Sequence, residues 1–464
     1  MLLRARFALP ISSDAIEDAA VVVRAGVIQA VGPMARVVHA HPGERVRDLG
    51  DAILMPGFVN AHSHLELTLL RGFVEDLPFL PWLRRVVDLT HDVLKPDESV
   101  FYSLLGAAEM IRAGITTVAD CSATGAPFDA LAIAGLRGIV FQEAFAPTTA
   151  HVDGAVARLE ERLDALEGMA TPRLGVGLSP HSPYMACEGM LRRCLAVAEQ
   201  RGIPVSIHAA ESQAEDVFVR DGAGPIADHF ATRGFEVTAR GMSPIAWLDR
   251  CGYLGARVPV QLVHLSRAGI ADLDLIGAAT TAGRRVGVAA CPRSNARLGN
   301  GLPDLRAFTN AGISWGLGTD GGVSAGRCDL MAEAAAALVM ERGRTGDVEA
   351  ADARSMLARA TLLAARSIGL GDEIGSLEVG KQADLCALSL DASRMVPAHE
   401  PHSVVVDLAT PADVVLTMVA GEVLYDGREI ATLDEPRVRE RCRERAEIIK
   451  ASLAGRALPA RRQP

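Results

Sequence analysis

The sequence predicts an α/β protein, a (β/α)8 TIM barrel joined to a small composite β-sandwich formed by both chain ends. Three observations lead there. Apolar runs of strand length alternate with helix-length segments through the middle of the chain, as parallel α/β folds require. Eight such runs are present: 54–60, 114–120, 136–143, 174–181, 203–208, 258–264, 285–291 and 313–320. Short β-like stretches broken by glycine occur at both ends, at 19–24, 27–31 and 45–49, then again at 375–388 and 413–427.

The eight runs give one closed barrel, expected over residues 56–369, with 1–55 and 370–430 pairing into the sandwich. Between runs, segments such as 101–113 and 189–201 carry apolar residues at three-to-four spacing and read as outer helices. Residues 431–464 read as a C-terminal helix and tail; the helix, 436–453, is charged and amphipathic, and its charges read as a solvated face. A length of 464 residues suits a barrel plus one smaller module.

Composition narrows the partners. Hydrophobic residues make up 49% of the chain, enough for a large core, and the net charge of -10 offers no basic surface to nucleic acid or anionic membranes. No segment reaches about 18 apolar residues without a charge or breaker. The eight cysteines are scattered with no C-x-x-C pair, which fits reduced thiols. A cytoplasmic protein acting on a small molecule, assembled as a homo-oligomer (dimer or tetramer), is the expectation.

The chemistry gathers where the strands end. His62 and His64 follow the first run in NAHSH, and residues two apart on an extended backbone point the same way. His181 ends the fourth run, His208 the fifth, His264 the sixth and Asp320 the eighth, so five of the twelve histidines sit at equivalent positions. Those ends form the catalytic face of a (β/α)8 barrel. One such histidine is ordinarily a packed core residue; five with an aspartate in register are hard to explain as packing, because buried polar groups without partners are costly. Three imidazoles, a carboxylate and an open position suit one Zn2+, or Fe2+ in the same cage. Glu211 lies three residues past His208 in HAAES, where a carboxylate can take a proton from water and return it to a leaving nitrogen.

These segments resemble the amidohydrolase superfamily, specifically its mononuclear deaminases (S-adenosylhomocysteine, methylthioadenosine, adenosine and aminodeoxyfutalosine deaminases) and the related triazine chlorohydrolases. The resemblance rests on PGFVNAHSHLELTLLRGFVEDLPFLPWL, SPHSPY, HAAES, LVHLSR, CPRSNARLGNG, GLGTDGG and GSLEVGKQADLCAL, in that order. It implies that His62, His64, His208 and Asp320 hold the metal and that Glu211 shuttles protons. It also implies that His264, with Asp320, serves the reacting centre and that His181 contacts substrate. No lysine ends the fourth run to bridge two ions, so one divalent metal ion per chain is expected.

The resemblance also frames the substrate. Trp82, Glu143, Arg293 and Asn295 are the further expected substrate contacts. In adenosylhomocysteine-type deaminases a ribose-gripping glutamate follows the tryptophan by nine residues; here that position is His91, with Asp88 displaced into the role as the alternative. HSHLE with Glu66, Glu143 in QEAF and Arg293 in CPRSN look more like the aminodeoxyfutalosine type, with Arg293 directed at a substrate anion. The expectation is therefore hydrolytic deamination of an aminated purine nucleoside or similar N-heterocycle, aminodeoxyfutalosine foremost. The alternatives are an adenosylhomocysteine, methylthioadenosine or adenosine deaminase, a triazine-type chlorohydrolase, and a catalytically silent ligand-binding barrel.

Overall fold

A computed structural model of the chain describes residues 1–454. Eight parallel strands form the barrel: β6 (Phe58–Ser63), β7 (Ile115–Ser122), β8 (Arg137–Glu143), β9 (Leu174–Ser179), β10 (Val205–Ala209), β11 (Val260–His264), β12 (Val286–Ala290) and β13 (Ser314–Leu317). Each corresponds to one run read from the sequence. The apolar runs are near-continuous because helices cover the outer face while side chains fill the interior. Val59, Ala119, Phe141, Val263 and Ala289 belong to one buried cluster drawn from five of these strands.

The seam between β6 and β13 is closed partly by a side chain. Asn60 donates to Thr319 Oγ1 at 2.8 Å and accepts the Thr319 N–H at 2.9 Å, while the Asp320 N–H reaches His62 O at 3.0 Å. A Cβ on Gly318 would stand 2.7 Å from His62 N, so only glycine lets the two strands approach this closely. The seam thereby sets Asp320 beside the histidines of β6.

Both chain ends join in a second sheet. It comprises β1 (Leu2–Ala8), β2 (Ile16–Arg24), β3 (Val27–Pro33), β4 (Val46–Asp48), β5 (Ala52–Pro56), β14 (Leu385–Ser389), β15 (Val414–Val419) and β16 (Glu422–Tyr425). Mostly antiparallel, it runs β16-β15-β14-β5-β1-β2-β3, with β4 pairing β1. The turn after β2 meets the turn after β15, where a Cβ on Gly26 would lie 2.7 Å from Ala420 O, so the sheet folds back on itself.

Two sequence readings change here. The run 54–60 is not one strand: Pro56 ends β5 in the sheet and β6 begins the barrel at Phe58. Gly57 makes the crossing because a Cβ there would sit 2.1 Å from Thr116 Cγ2. The first residues, unread as structure, form β1 at the centre of the sheet, and its Leu3, Ala5 and Phe7 alternate with arginines.

Loops after the strands build a cap over the C-terminal mouth. Its apolar cluster joins Leu70, Phe79 and Trp82 from the loop after β6 to Tyr184, Phe230 and Leu298 from later loops. The C-terminal helix Glu435–Ala454 packs Val438, Cys442 and Ile449 into the same cluster. Its charges are not all solvated: Arg445 pairs with Glu98 at 2.6 Å and Glu435 with Arg112 at 2.6 Å. The expected tail beyond the helix, 455–464, lies outside the described residues. All eight cysteines are free, and no described helix is long and apolar enough to cross a membrane.

Candidate active site

The barrel brings the expected ligands together. His62 is the penultimate residue of β6 and His64 follows its end; their Nε2 atoms lie 3.6 and 3.7 Å from Asp320 Oδ1. From β10 across the mouth, His208 places Nε2 3.1 Å from His64 Nε2.

Hydrogen bonds fix what those nitrogens can do. His64 Nδ1 lies 2.8 Å from Cys121 O, and His208 Nδ1 lies 2.8 Å from His181 O. A carbonyl can only accept, so each Nδ1 carries the proton and each Nε2 turns a lone pair toward the other. Two lone pairs at that separation repel unless a cation lies between them. His62 Nε2 is buried with no hydrogen-bond partner, which is the same deficit on a third ring. Asp320 supplies the charge. Its Oδ2 accepts from Ser294 and Ser324 at 2.6 and 2.7 Å, and the Gly321 N–H holds Oδ1 at 2.7 Å. Burial raises its pKa, but His62, His64 and His264 outweigh that and hold it well below the ordinary carboxylate value. Burial, then the neighbouring imidazoles, keep His208 well below its ordinary value and hence neutral, the form that binds metal. Three imidazole nitrogens and one carboxylate oxygen fit a divalent ion such as zinc.

Glu211 stands beside this cluster with Oε1 3.7 Å from His264 Nε2 and within 3.2 Å of the Asn300 amide, which donates to it. Burial, then the charges of Asp320 and Glu215, push its pKa well above the carboxylate range. His264 goes the other way: burial takes it down to about 3, so it is neutral at ordinary pH. Backbone strain concentrates here. His181, Ala210, His264, Leu265 and Asp320 have positive φ, five of the ten such non-glycine residues in the described chain.

The remaining expected contacts divide. His181 faces the mouth, its ring 4.8 Å from that of His208 and 5.1 Å from that of Phe145. Glu143 ends β8 with Oε1 buried and unpartnered, close to His64 and His208, and burial raises its pKa to about 7. Asn295 donates to Ser266 Oγ at 3.0 Å, and Ser266 in turn donates to Glu211 O at 2.8 Å. Trp82 is packed in the cap cluster, stacked on Phe79, with its Nε1 buried and unpartnered.

Arg293 is partly engaged within the protein. Its guanidinium donates to Ala325 O at 2.8 Å and Arg327 O at 3.3 Å and lies 3.6 Å from the buried Glu333. Two of its five N–H donors are thereby spent on carbonyls. His91 is exposed, whereas Asp88 lines a cavity beside His181. Glu66 is used within the protein, accepting from Ser122, Ala123 and Thr124.

Two residues went unread. Asn300, which anchors Glu211, lies 89 positions from it; it stands in the segment CPRSNARLGNG, where only Arg293 and Asn295 were given roles. Glu215 had a local signal: Ser212-x-x-Glu215 is the capping pattern that opens a helix, here Gln213–Asp221.

Comparison with known proteins agrees with this arrangement. The Amidohydrolase family profile matches residues 53–424. A 5-methylthioadenosine/S-adenosylhomocysteine deaminase of Moorella thermoacetica is 32% identical over 433 residues, covering 92% of this chain and 94% of that protein. A zinc-bound adenosine deaminase from Xanthomonas campestris superposes with a TM-score of 0.84 at 31% identity, covering 97% of this chain and 98% of its own. A Helicobacter pylori aminofutalosine deaminase shares the fold, with a TM-score of 0.80 at 20% identity over 91% of this chain and 99% of its own. With barrel, histidine-aspartate cluster and sequence match in accord over nearly the whole length, the chain belongs to the amidohydrolase family, as a hydrolytic enzyme of carbon–nitrogen bonds.

Proposed function

We propose that this metal-dependent deaminase acts on an adenine nucleoside substituted at its 5′ position, the methylthioadenosine/adenosylhomocysteine class, with one zinc ion held by His62, His64, His208 and Asp320. The observation that carries the reading is Glu211, buried between Asn300 and His264 at the edge of the histidine-aspartate cluster. Bound there, a divalent ion supplies the Lewis acid that makes hydroxide available near neutral pH.

The side chains do the rest. Glu211 takes a proton from the attacking water as its oxygen bonds to the amino-bearing ring carbon. Its raised pKa lets it keep that proton until the carbon–nitrogen bond breaks, then give it to the nitrogen, which leaves as ammonia. His264, neutral and beside Glu211, offers one N–H to the oxygen added at that carbon. Asn300 and the Asn295–Ser266 chain hold Glu211 in place.

Relatives named for 5′-thio-substituted adenosines support the nucleoside class. The expectation of aminodeoxyfutalosine foremost rested on Glu66, Glu143 and Arg293; of these, Glu66 accepts from Ser122, Ala123 and Thr124, and the Arg293 guanidinium donates to Ala325 O and Arg327 O. The test is ammonia release by the zinc-loaded protein from methylthioadenosine, S-adenosylhomocysteine, adenosine and aminodeoxyfutalosine. Release from the 5′-substituted adenosines ahead of adenosine is expected. Release from none of them, with chloride freed from a chlorotriazine, would replace this reading by dechlorination.

A further inference from the structure

The three imidazoles of the cluster are not held alike. His64 and His208 each turn Nδ1 to a main-chain carbonyl, which accepts and nothing else. His62, fully buried on β6, faces a side chain instead: its Nδ1 lies 3.9 Å from the thiol sulfur of Cys121 on β7.

Behind that sulfur runs a line of buried polar groups. Cys121 Sγ lies 3.6 Å from Ser206 Oγ on β10, and Ser206 Oγ lies 2.9 Å from Gln261 Oε1 on β11. Gln261 Nε2 lies 2.7 Å from the carbonyl of Ala61, the residue before His62. The line crosses the barrel interior and returns to β6. Polar groups in such an interior are costly unless paired, and here each finds its partner along the line.

The direction of the line follows from its far end. Ala61 O can only accept, so the Gln261 amide nitrogen faces it and Oε1 faces Ser206. Oε1 also only accepts, so the Ser206 hydroxyl gives it a proton. Ser206 Oγ is then left to accept, and the proton in its contact with Cys121 is that of the S–H. The sulfur turns lone pairs toward His62, and every contact is a hydrogen bond when Nδ1 carries the proton. Nε2 then keeps its lone pair on the side of Asp320, the form a metal ligand needs.

We propose that Gln261, Ser206 and Cys121 form a relay of fixed hydrogen-bond direction that holds His62 in its Nδ1–H form, with Cys121 as a positioning residue for the metal centre. The proposal rests on the assignment of His62 as a ligand. A thiol does for His62 what carbonyls do for His64 and His208.

The experiment titrates zinc into the metal-free full chain in competition with a chromophoric chelator, and records the visible absorption of the Co2+-loaded protein. Cys121→Ser keeps both an acceptor and a donor and should bind zinc within about threefold of the parent. Cys121→Val fills the space without an acceptor and should bind about tenfold more weakly, with an altered Co2+ spectrum. Ser206→Ala leaves the thiol in place but removes its acceptor, so the S–H turns to His62 Nδ1; zinc binding should weaken by about tenfold here too. That variant carries the test should Cys121→Val not fold. Parent-like affinity and Co2+ spectrum in Cys121→Val or in Ser206→Ala, or equal losses in Cys121→Ser and Cys121→Val, overturn the relay. None of these readouts involves substrate, so such a result leaves the deaminase reading intact. A parent that takes up no zinc overturns the relay and the metal assignment together.

Discussion

Glu215 holds the backbone of Glu211. Its two carboxylate oxygens accept the N–H groups of Ala210 and Glu211 at 3.1 and 2.8 Å, across a segment in which Ala210 has a φ of 50°. That clamp fixes a strained turn carrying the residue proposed to move protons.

Glu215→Gln keeps the size of the side chain but turns one acceptor into a donor facing an N–H. Steady-state kinetics should show kcat reduced by about ten- to a hundredfold with KM and metal content little changed, because a loosened Glu211 is misaligned rather than removed. Parent-like kcat would show that the turn holds its shape without the carboxylate.

His208→Ala removes one of three imidazoles and the lone pair that faces His64. Elemental analysis should give about one divalent ion per chain in the parent and little in the variant, since four protein groups define a single site. Prolonged chelation of the parent should abolish turnover, and zinc should restore it. Two equivalents of metal in the parent, or an undiminished load in the variant, would contradict the single-site assignment.

Arg293→Met tests the structural role of Arg293. The variant should lose about 1–3 kcal/mol of stability, because two carbonyls and the buried Glu333 lose a charged partner, while relative activity toward charged and uncharged 5′ arms stays as in the parent. Burial raises Glu333 to about 8 although Arg293 opposes it. Stability that depends on an uncharged Glu333 is full below its unfolded pKa and is lost as pH rises toward that value. Without Arg293 the folded pKa rises further, so the pH-dependent part of the defect should open only above about pH 8. Denaturant titrations at pH 6 and pH 9 compare the two. A changed preference among the arms at unaltered stability would return Arg293 to the substrate.

The barrel was legible because buried parallel strands are written as short apolar runs, and the metal cluster because its residues close those runs. Sequence position places a residue at a strand end but does not aim its side chain. Arg293 follows β12 by three residues, yet it lies in the short helix Pro292–Arg297 and turns to Ala325 and Glu333. A segment such as CPRSNARLGNG holds Asn300 without showing that it pairs with Glu211. By contrast β1 was written plainly in alternating Leu3, Ala5 and Phe7, and the division at Gly57 was marked by its proline and glycine.

The account stands most directly on Glu211. Ammonia release from methylthioadenosine and metal content should be measured together on the parent and on Glu211→Gln. The amide preserves shape but cannot accept and return a proton, so turnover should fall by about 10²- to 10⁴-fold while the metal load stays at that of the parent. Near-parental ammonia release from a fully metal-loaded Glu211→Gln would show that another group moves the protons and would contradict the account.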